Sequence, residues 1–265
     1  MNIRGKKILL TGATGGIGEL LAGLLHEQGA KLVLSCFQQQ ALQQLNEKLG
    51  GVHTLACADI ASYEGRKEIV DVCQESGGID AVINLAGVLN FNLFENQSAQ
   101  LIEKTLSINL VAPVLLSQAL IPMLREREEA MILNVGSIFG SIGHPGFVAY
   151  CTSKAGMKCF SEALSRELAD SSIHVSYIAP RATRTALNDA RINDLNSALG
   201  NKSDSPEYVA GEILKLFKSK HLVSFLGWPE KLFVRVNALM PGLVRRSLVK
   251  NLRVIKHYAT AGETL

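Results

Sequence analysis

The sequence predicts an α/β protein built on a doubly wound parallel sheet of about seven strands. Short apolar runs alternate with stretches of helical period from Lys7 to about Phe225, the pattern of repeated βαβ units. The runs are nearly continuous in apolar residues, as expected for strands that helices cover on both faces. The 265 residues, 47% of them hydrophobic, suit one large domain with a sizeable core.

The elements follow each other in a regular order. Strands are predicted at Ile8–Thr11, Leu32–Ser35, Thr54–Ala58, Ala81–Asn84, Met131–Val135, His174–Ile178 and Leu222–Leu226. Helices are predicted at Ile17–Gln28, Gln39–Leu49, Tyr63–Ser76, Ser98–Arg127, Tyr150–Leu168 and Pro206–Ser219. Because proline has no N–H, we expect the fourth helix to break or bend near Pro113 and Pro122.

Cysteine usage and hydropathy exclude several classes of protein. The five cysteines are scattered and form no C-x-x-C pair, which argues against a disulfide scaffold or a zinc site and predicts a reducing, cytoplasmic location. We expect no metal centre. No apolar region with a small-residue cleavage site precedes the first strand, so we expect no secretory signal. No run of about twenty uninterrupted apolar residues is found, so we expect no membrane-spanning helix.

The net charge of +3 hides a basic tail. Seven lysines and arginines lie between Lys231 and Tyr258, a span without an acidic residue. The rest of the chain has 20 basic residues and 24 acidic ones. The overall balance therefore gives no indication of a nucleic-acid partner, and we expect none.

The first strand leads directly into a glycine-rich turn and then a helix. Gly12, Gly16 and Gly18 give the spacing G-x-x-x-G-x-G. Glycines let the backbone turn tightly and approach a pyrophosphate, while the helix N-terminus supplies amide donors and the positive end of a dipole. A βα turn without a ligand is the alternative, but the strand before and the helix after favour a nucleotide site.

A tyrosine and a lysine, Tyr150 and Lys154, lie four residues apart and so share one face of a helix. A nearby cation favours the phenolate, so we expect Lys154 to lower the pKa of Tyr150 from its ordinary value of about 10. A phenol tuned toward neutral pH is a usable general acid or base. Ser137, at the end of the fifth apolar run, supplies a hydroxyl that can polarise a carbonyl oxygen.

Together these patterns resemble the short-chain dehydrogenase/reductase family over residues 5–225. The resemblance implies a Rossmann-type fold and a nicotinamide cofactor that carries hydride. It also implies that Ser137 hydrogen-bonds the substrate oxygen and that Tyr150 exchanges a proton with it. Lys154 would tune Tyr150 and hold the nicotinamide ribose, and Asn109 would position a proton-relay water.

The resemblance implies a cofactor site drawn from several loops. Asp59 follows the third strand, where family members use an aspartate to bind adenine. Asn84-Leu85-Ala86-Gly87 is similar to the family's Asn-Asn-Ala-Gly, with Leu85 in place of the second asparagine. Pro180-Arg181-Ala182-Thr183-Arg184-Thr185 is similar to the family's Pro-Gly segment, and Thr185 matches its threonine that contacts the nicotinamide carboxamide. The cofactor set is Gly12, Thr14, Gly15, Gly16, Ile17, Gly18, Ser35, Asp59, Ile60, Asn84, Ala86, Gly87, Tyr150, Lys154, Pro180, Thr183 and Thr185.

Each of these matches has a simpler alternative. Asp59 can cap the next turn, Asn84 can form a strand-end turn, and Asn109 can be a solvated helix residue. Ser137 can be an ordinary loop hydroxyl. The matches favour the resemblance because it predicts all of them at once and in the right order.

The choice between NAD and NADP depends on the end of the second strand. An acidic residue there binds the ribose 2′-hydroxyl in NAD enzymes, and a nearby arginine binds the 2′-phosphate in NADP enzymes. The segment Ser35-Cys36-Phe37-Gln38 contains neither. Without an acid to repel a 2′-phosphate, and with Ser35 as a donor, the sequence favours NADP(H) over NAD(H).

The region after Thr185 predicts a lid. Its apolar residues fall near helical spacing: Ala186, Leu187, Ile192, Leu195 and Leu199. An apolar underside indicates a lipophilic substrate, although a helix that only packs on the core fits equally well. The predicted substrate pocket consists of Phe139, His144, Phe147 and Leu187, with Val148 in the same loop. We interpret His144 as a loop residue, because Tyr150 fills the catalytic role.

The tail predicts a basic amphipathic helix. Val244, Leu248, Leu252 and Ile255 recur at three- and four-residue spacing among basic residues. Such a helix can lie in an anionic membrane interface, or it can pack on protein and leave its charges in water. We therefore predict a catalytic domain at 1–228 and an extension at 229–265, with Lys231–Tyr258 as a candidate for peripheral membrane contact.

The sequence as a whole favours an oxidoreductase that interconverts a carbonyl and an alcohol with NAD(P). The predicted substrate is a lipophilic ketone, aldehyde or 3-oxoacyl thioester, and the predicted assembly is a homodimer or homotetramer. Two alternatives stay open: a nucleotide-binding regulatory protein without activity, and a membrane-recruited scaffold with the same fold.

Overall fold

The strands form one parallel sheet in a computed structural model that describes residues 1–261. They are β1 (Lys7–Thr11), β2 (Lys31–Cys36), β3 (Thr54–Cys57), β4 (Ala81–Asn84), β5 (Ala130–Val135), β6 (Ile173–Ala179) and β7 (Val223–Phe225). Their spatial order is β3-β2-β1-β4-β5-β6-β7. All six neighbouring pairs are parallel, so the predicted fold class is confirmed.

Helices connect the strands and continue past the last one. They are α1 (Gly16–Glu27), α2 (Gln39–Lys48), α3 (Tyr63–Glu75), α4 (Ala99–Leu106), α5 (Ala112–Arg125), α6 (Val148–Glu167), α7 (Ala190–Ala198), α8 (Pro206–Ser219), α9 (Glu230–Leu239), α10 (Pro241–Lys250) and α11 (Leu252–Thr260). The last four residues of the predicted extension, 262–265, lie outside the described residues.

The sheet is covered on both faces because successive strand residues point to opposite sides. The register places Leu9 of β1 opposite Val33 of β2 and Val82 of β4, and all three belong to the core against α3, α5 and α6. Leu10 and its partner Leu34 belong to the other core, against α1, α2 and α8.

The strand order reverses between β1 and β4, which are neighbours although two strands separate them in sequence. In open α/β sheets, ligands bind at the carboxyl ends of the strands beside such a switch point. Thr11 links the two strands there, since its hydroxyl donates to the Ile83 carbonyl at 3.2 Å and accepts from the Leu85 N–H at 3.1 Å.

The long fourth helix differs from its prediction. A π-helical turn, Ser107–Val111, separates α4 from α5, and Pro113 follows in the first turn of α5. Proline cannot donate to the carbonyl of Asn109 four residues earlier, which favours the wider turn. The helix is not broken at Pro122, because α5 continues through it; Pro122 lies on the exposed face, where the carbonyl it leaves free can reach water. A bend there stays a prediction.

The helical run Ala99–Arg125 is long and apolar enough to cross a membrane by length and composition, which the sequence prediction did not anticipate. Ala112, Leu116, Leu120 and Leu124 of this run are buried against the sheet. A stripe of apolar residues packed on the sheet is the arrangement of a core helix.

The tail forms three helices, so the single amphipathic helix predicted at Leu243–Tyr258 is wrong. Asn251 separates α10 from α11. The break lets α11 turn onto the lid, where Ile255 and Ala259 are buried beside Ile192 and Leu195 of α7. The division between 1–228 and 229–265 stays a prediction.

The lid helix α7 is shorter than the segment from Ala186 to Leu199 in which apolar residues fall near helical spacing. Ala186 and Leu187 form a turn before it, and the Asp189 carboxylate caps it by accepting from the Ile192 N–H at 2.9 Å. Helix α6 in turn begins at Val148, two residues before the predicted start at Tyr150. Tyr150 therefore lies in the first turn of a 20-residue helix.

Candidate active site

The glycine-rich turn between β1 and α1 folds tightly against the loop after β4. Gly12 has a φ of +68°, and a Cβ added to it would lie 2.8 Å from Ala86 Cα. A Cβ at Gly18 would collide with the Gly12 carbonyl oxygen. Both positions therefore require glycine.

The N-terminus of α1 has no side-chain cap within the described chain, unlike those of α3, α4, α7 and α8. Its N-cap residue is Gly15. Across the turn, Thr185 lies so close that a Cβ at Gly16 would be 3.2 Å from its Cγ2. Uncapped amides facing a threonine across a narrow gap are suited to a pyrophosphate and the group attached to it.

Three predicted cofactor residues turn their side chains into the core. Ser35 is only 2% exposed and lies on the face of β2 opposite to Leu34, so it cannot donate to a 2′-phosphate. Ile60 is buried in the core under α3. Asn84 Nδ2 donates to Asn134 Oδ1 at 2.8 Å and Ser117 Oγ at 3.1 Å, within a buried network.

The remaining nucleotide-side residues lie at the strand ends. Asp59 is exposed, and its Oδ1 caps the next turn by accepting from the Ala61 N–H at 2.9 Å, which leaves the second oxygen toward solvent. Thr14 Oγ1 lies 2.8 Å from Cys36 Sγ. Cys36, rather than Ser35, therefore faces the glycine turn, as the two-residue alternation of a strand would have shown.

Ser137 and Tyr150 meet at the carboxyl end of β5. Ser137 Oγ accepts from the Phe139 N–H at 3.1 Å, which fixes the hydroxyl at the start of the loop. Burial raises the pKa of Tyr150 to about 12, while its hydrogen bond with Ser137 acts in the opposite direction. The expected lowering of the Tyr150 pKa is therefore wrong for this structure, because the effect of burial exceeds that of the Ser137 hydrogen bond. At neutral pH the phenol carries its proton.

Lys154 is almost fully buried beside Tyr150. Its Nζ lies 5.8 Å from the centre of the tyrosine ring and donates to the Val135 carbonyl at 3.0 Å. Burial lowers the pKa of Lys154 to about 8. The lysine is thus anchored to the end of β5 on the same helix face as the phenol, as the spacing predicts.

Asn109 lies in the π-helical turn and is 1% exposed. Its Oδ1 accepts from the Val88 N–H at 2.8 Å, and its Nδ2 donates to the Val88 carbonyl at 2.9 Å and to Ser153 Oγ at 3.1 Å. It is not a solvated helix residue. A Cβ at Gly87 would lie 3.3 Å from Asn109 Oδ1 and 3.7 Å from Lys154 Nζ, so both side chains meet at the loop after β4.

A cavity of about 660 Å³ opens over these groups. Ser137, Tyr150 and Lys154 form part of its floor. All four residues of the predicted substrate pocket line it, namely Phe139, His144, Phe147 and Leu187. Of the cofactor set, the cavity wall includes Ile17, Gly87, Tyr150, Lys154, Pro180, Thr183 and Thr185.

Aromatic rings build one side of the cavity. Phe139 stacks on His144 with ring centres 5.0 Å apart and packs against Phe147 at 5.1 Å. His144 Nδ1 lies 2.8 Å from the Pro145 carbonyl, and burial lowers the pKa of the imidazole. A neutral histidine bound to its own loop fits the predicted structural role.

Comparison with known proteins identifies the family. The model of the short chain dehydrogenase family matches residues 6–196. The chain is 35% identical over 193 residues to nodulation protein G of Rhizobium sp. (strain N33), which covers 72% of the chain and 78% of the relative. The chain belongs to the short-chain dehydrogenase family.

Other relatives of this short-chain dehydrogenase are reductases. It is 29% identical over 240 residues to the 3-oxoacyl-[acyl-carrier-protein] reductase FabG of Vibrio cholerae, covering 88% of the chain and 94% of the relative. The crystal structure of the 3-ketoacyl-(acyl-carrier-protein) reductase of Brucella melitensis, complexed with NADH, superposes with a TM-score of 0.78 at 23% identity, over 86% of this chain and 99% of that one. At that identity the superposition shows the fold.

One functional feature of this short-chain dehydrogenase was missed in the sequence. Arg181 follows Pro180, where the family's Pro-Gly segment has glycine. Its Nε and one terminal nitrogen donate to Asp204 Oδ1 at 2.9 and 2.7 Å, and the other terminal nitrogen donates to Glu230 Oε2 at 3.1 Å. Arg181 therefore joins the lid segment to the start of the tail, and only the departure from Pro-Gly signalled it.

Tyr177 is a second residue that the sequence did not single out. It is fully buried in β6, and its hydroxyl donates to the Ser137 carbonyl at 3.3 Å. A Cβ at Gly136 would collide with its ring. Tyr177 thus positions the backbone of Ser137, but in an apolar strand its sequence signal is that of any core residue.

Proposed function

We propose that the protein is an NAD(P)-dependent oxidoreductase that reduces a 3-oxoacyl thioester or a similar lipophilic carbonyl compound. The observation that carries this proposal is the convergence of Ser137, Tyr150 and Lys154 at one end of a cavity that also reaches Thr185 beside the glycine turn. Oxygen-directed donors and a dinucleotide cradle at one cavity are the requirements of carbonyl reduction.

The cradle fits a nicotinamide dinucleotide. Gly12, Gly16 and Gly18 keep the turn open, and the uncapped start of α1 would hold the pyrophosphate. Lys154 would hold the nicotinamide ribose, and Thr185 would bind the carboxamide. The bound cofactor would supply the hydride, while the protein provides binding, orientation and the proton.

The chain's own residues account for the proton transfer. Ser137 donates a hydrogen bond to the substrate oxygen, where negative charge grows during reduction. Tyr150 then gives its phenolic proton to that oxygen. At neutral pH the phenol holds the proton that a general acid gives up during reduction.

Asn109 supports the proton supply through its position. Both side-chain polar atoms are already bonded to Val88 and Ser153, so they fix the wide helical turn. Because Pro113 has no N–H, it cannot donate to the Asn109 carbonyl four residues earlier. We assign this carbonyl oxygen as the acceptor for a relay water next to Lys154.

The cofactor we favour is NADP(H). No carboxylate lies in the segment Cys36-Phe37-Gln38, so nothing there repels a 2′-phosphate. Ser35 does not contribute to this preference, since its side chain is buried. A comparison of KM for NADPH and NADH tests this preference, and a lower KM for NADH contradicts it.

The substrate class follows from the cavity walls and the relatives. The lid contributes Ile192 and Leu195, and the tail contributes Val244 and Leu248, all apolar. Relatives named 3-oxoacyl-[acyl-carrier-protein] reductase suggest an acyl thioester. An apolar cavity of this size suits an acyl chain.

The assembly and location are further parts of the proposal. Leu101, Val111 and Leu115 are exposed along α4, α5 and the turn between them, which favours a homodimer or homotetramer through this face. We propose that the protein is cytoplasmic and that its tail makes a peripheral contact with a membrane. Light scattering after gel filtration measures the assembly, and a monomer contradicts it.

The two alternative functions lose support at the same site. A regulatory protein without activity does not need a buried lysine beside a serine–tyrosine pair. Lys154 is nevertheless held there, although burial disfavours its charged form. A scaffold does not need an apolar cavity above them.

The test is cofactor-dependent turnover. Oxidation of NADPH and NADH is followed with ketones, aldehydes and 3-oxoacyl thioesters of graded chain length. We expect turnover of 3-oxoacyl thioesters with kcat/KM that rises with chain length. Absence of turnover with all of these carbonyls, in protein shown by fluorescence to bind the nucleotide, contradicts the proposal.

A further inference from the structure

The corner between α9 and α10 exposes apolar side chains to an unusual degree. Leu239 is 82% exposed, Met240 52% and Leu243 50%. Pro241 and Gly242 between them are also exposed, so five consecutive residues face outward. Helix α10 has no fully buried residue, since only Val244 and Leu248 pack against the core. We call 239–243 the apolar corner.

The basic side chains of the tail helices have no acidic partners within the described residues. None of the salt bridges found within residues 1–261 uses a basic residue of the tail. The acid nearest in sequence, Glu230, is paired with Arg181. The seven unpaired cations are Lys231, Arg235, Arg245, Arg246, Lys250, Arg253 and Lys256.

The cavity opens beside this corner. Leu243 lines the cavity and is half exposed, and Phe233 of α9 lines it and is 47% exposed. Side chains that both line a cavity and reach solvent form its rim. The apolar corner is therefore continuous with the cavity mouth through Leu243.

We propose that α9 and α10 bind the surface of an anionic lipid bilayer, with the apolar corner inserted among the headgroups. The cations then contact lipid phosphates, and the cavity mouth at Phe233 and Leu243 opens against the lipid. A lipophilic substrate enters from the bilayer without crossing water. This last step rests on the proposed function, whereas the binding itself does not.

The combination of charge and exposed apolar side chains selects lipid as the partner. An acidic protein or a nucleic acid pairs with the cations but leaves Leu239 and Met240 in water. A bilayer interface accepts both, because the headgroup region takes cations and the acyl boundary takes apolar side chains. The cations attract the protein to an anionic leaflet, and each contributes about fivefold to partitioning at low salt.

Cosedimentation of the full chain with vesicles tests whether the tail cations contribute to lipid binding. We expect binding to phosphatidylcholine vesicles that contain phosphatidylglycerol, no binding to pure phosphatidylcholine, and release at high salt. Arg245→Glu with Arg246→Glu lowers binding more than tenfold. The matched control is Lys31→Glu with Lys48→Glu, the same change of charge on exposed side chains elsewhere, which leaves binding unchanged.

A second substitution tests insertion. Leu239→Ser removes the most exposed apolar side chain of the corner and lowers vesicle binding about tenfold. Val52→Ser, at a side chain 70% exposed in a distant loop, is the control and has no effect. Because both changes are at exposed positions, circular dichroism of the variants is expected to match the wild type.

The outcomes separate this proposal from the proposed function. Tyr150→Phe binds vesicles like the wild type, so loss of activity and loss of binding are independent. Failure of the wild type to sediment with anionic vesicles at low salt overturns the proposal. It is overturned equally if Leu239→Ser binds as well as the wild type, because the contact is then purely ionic and fits an acidic protein or nucleic acid.

Discussion

Replacing Arg181 with alanine removes the guanidinium that ties the lid segment to the tail. Asp204 and Glu230 then lose two hydrogen bonds each, and the Trp228 carbonyl loses one. Asp204 is 9% exposed, and its Oδ2 already has no partner within the described residues. The substitution leaves a buried carboxylate without compensation.

The expected loss follows from this burial. Removing one partner of a buried ion pair costs about 3–5 kcal/mol. The side chains of Arg181 and Glu230 keep 13% and 21% exposure, so water partly replaces the lost bonds. We therefore expect a decrease of about 3 kcal/mol in the free energy of unfolding, the lower end of that range.

Urea unfolding measures this decrease by linear extrapolation. The control is Lys215→Ala, which removes an exposed pair with Glu212 at 2.6 Å and is expected to leave the free energy of unfolding nearly unchanged. Asp204→Ala combined with Arg181→Ala costs less than the sum of the single changes, because the buried Asp204 carboxylate is no longer left without its partner. Additive losses, or a loss below about 1 kcal/mol for Arg181→Ala, refute the reasoning.

Other expected outcomes concern ionisation and the cofactor turn. Burial lowers the pKa of Lys154 from 10.5 to about 8, so the unfolded chain binds more protons between these values and stability rises with pH by up to about 1.4 kcal/mol per unit. Urea titrations at pH 8 and 9 should show this rise as a gain of the wild type over Lys154→Met, because both proteins share the opposing effect of Cys73 and Cys151, whose pKa values are raised by burial. Gly12→Ala forces a left-handed conformation and a contact with Ala86, and should raise KM for the nucleotide about tenfold; Gly211→Ala, with open space around the added Cβ, should not. Ser35→Ala should leave KM for NADPH unchanged because that side chain is buried, and an increase would show that it reaches the cofactor.

Local patterns were sufficient to predict the sheet and the helices before the tail. Apolar runs and helical spacing are properties of each segment, so every predicted strand lies within two residues of its observed bounds. Ser137, Tyr150 and Lys154 were also predictable, because their spacing and position after a strand place them at one sheet edge.

Properties that depend on tertiary packing were not predictable. The four-residue spacing predicted that Lys154 lies beside Tyr150. It did not predict the burial that makes the phenol harder to ionise. The role of Arg181 depends on Asp204 and Glu230, which lie 23 and 49 residues away. The break at Asn251 depends on where α11 meets the lid.

The most direct measurement of the central claim is the turnover of Tyr150→Phe with NADPH and a 3-oxoacyl thioester. The substitution keeps the ring that packs in the cavity and removes only the hydroxyl that gives its proton to the substrate oxygen. We expect kcat to fall at least about a hundredfold, the lower size of a general acid contribution, in protein that still binds the nucleotide. Turnover close to that of the wild type would contradict the assignment of Tyr150 as the general acid.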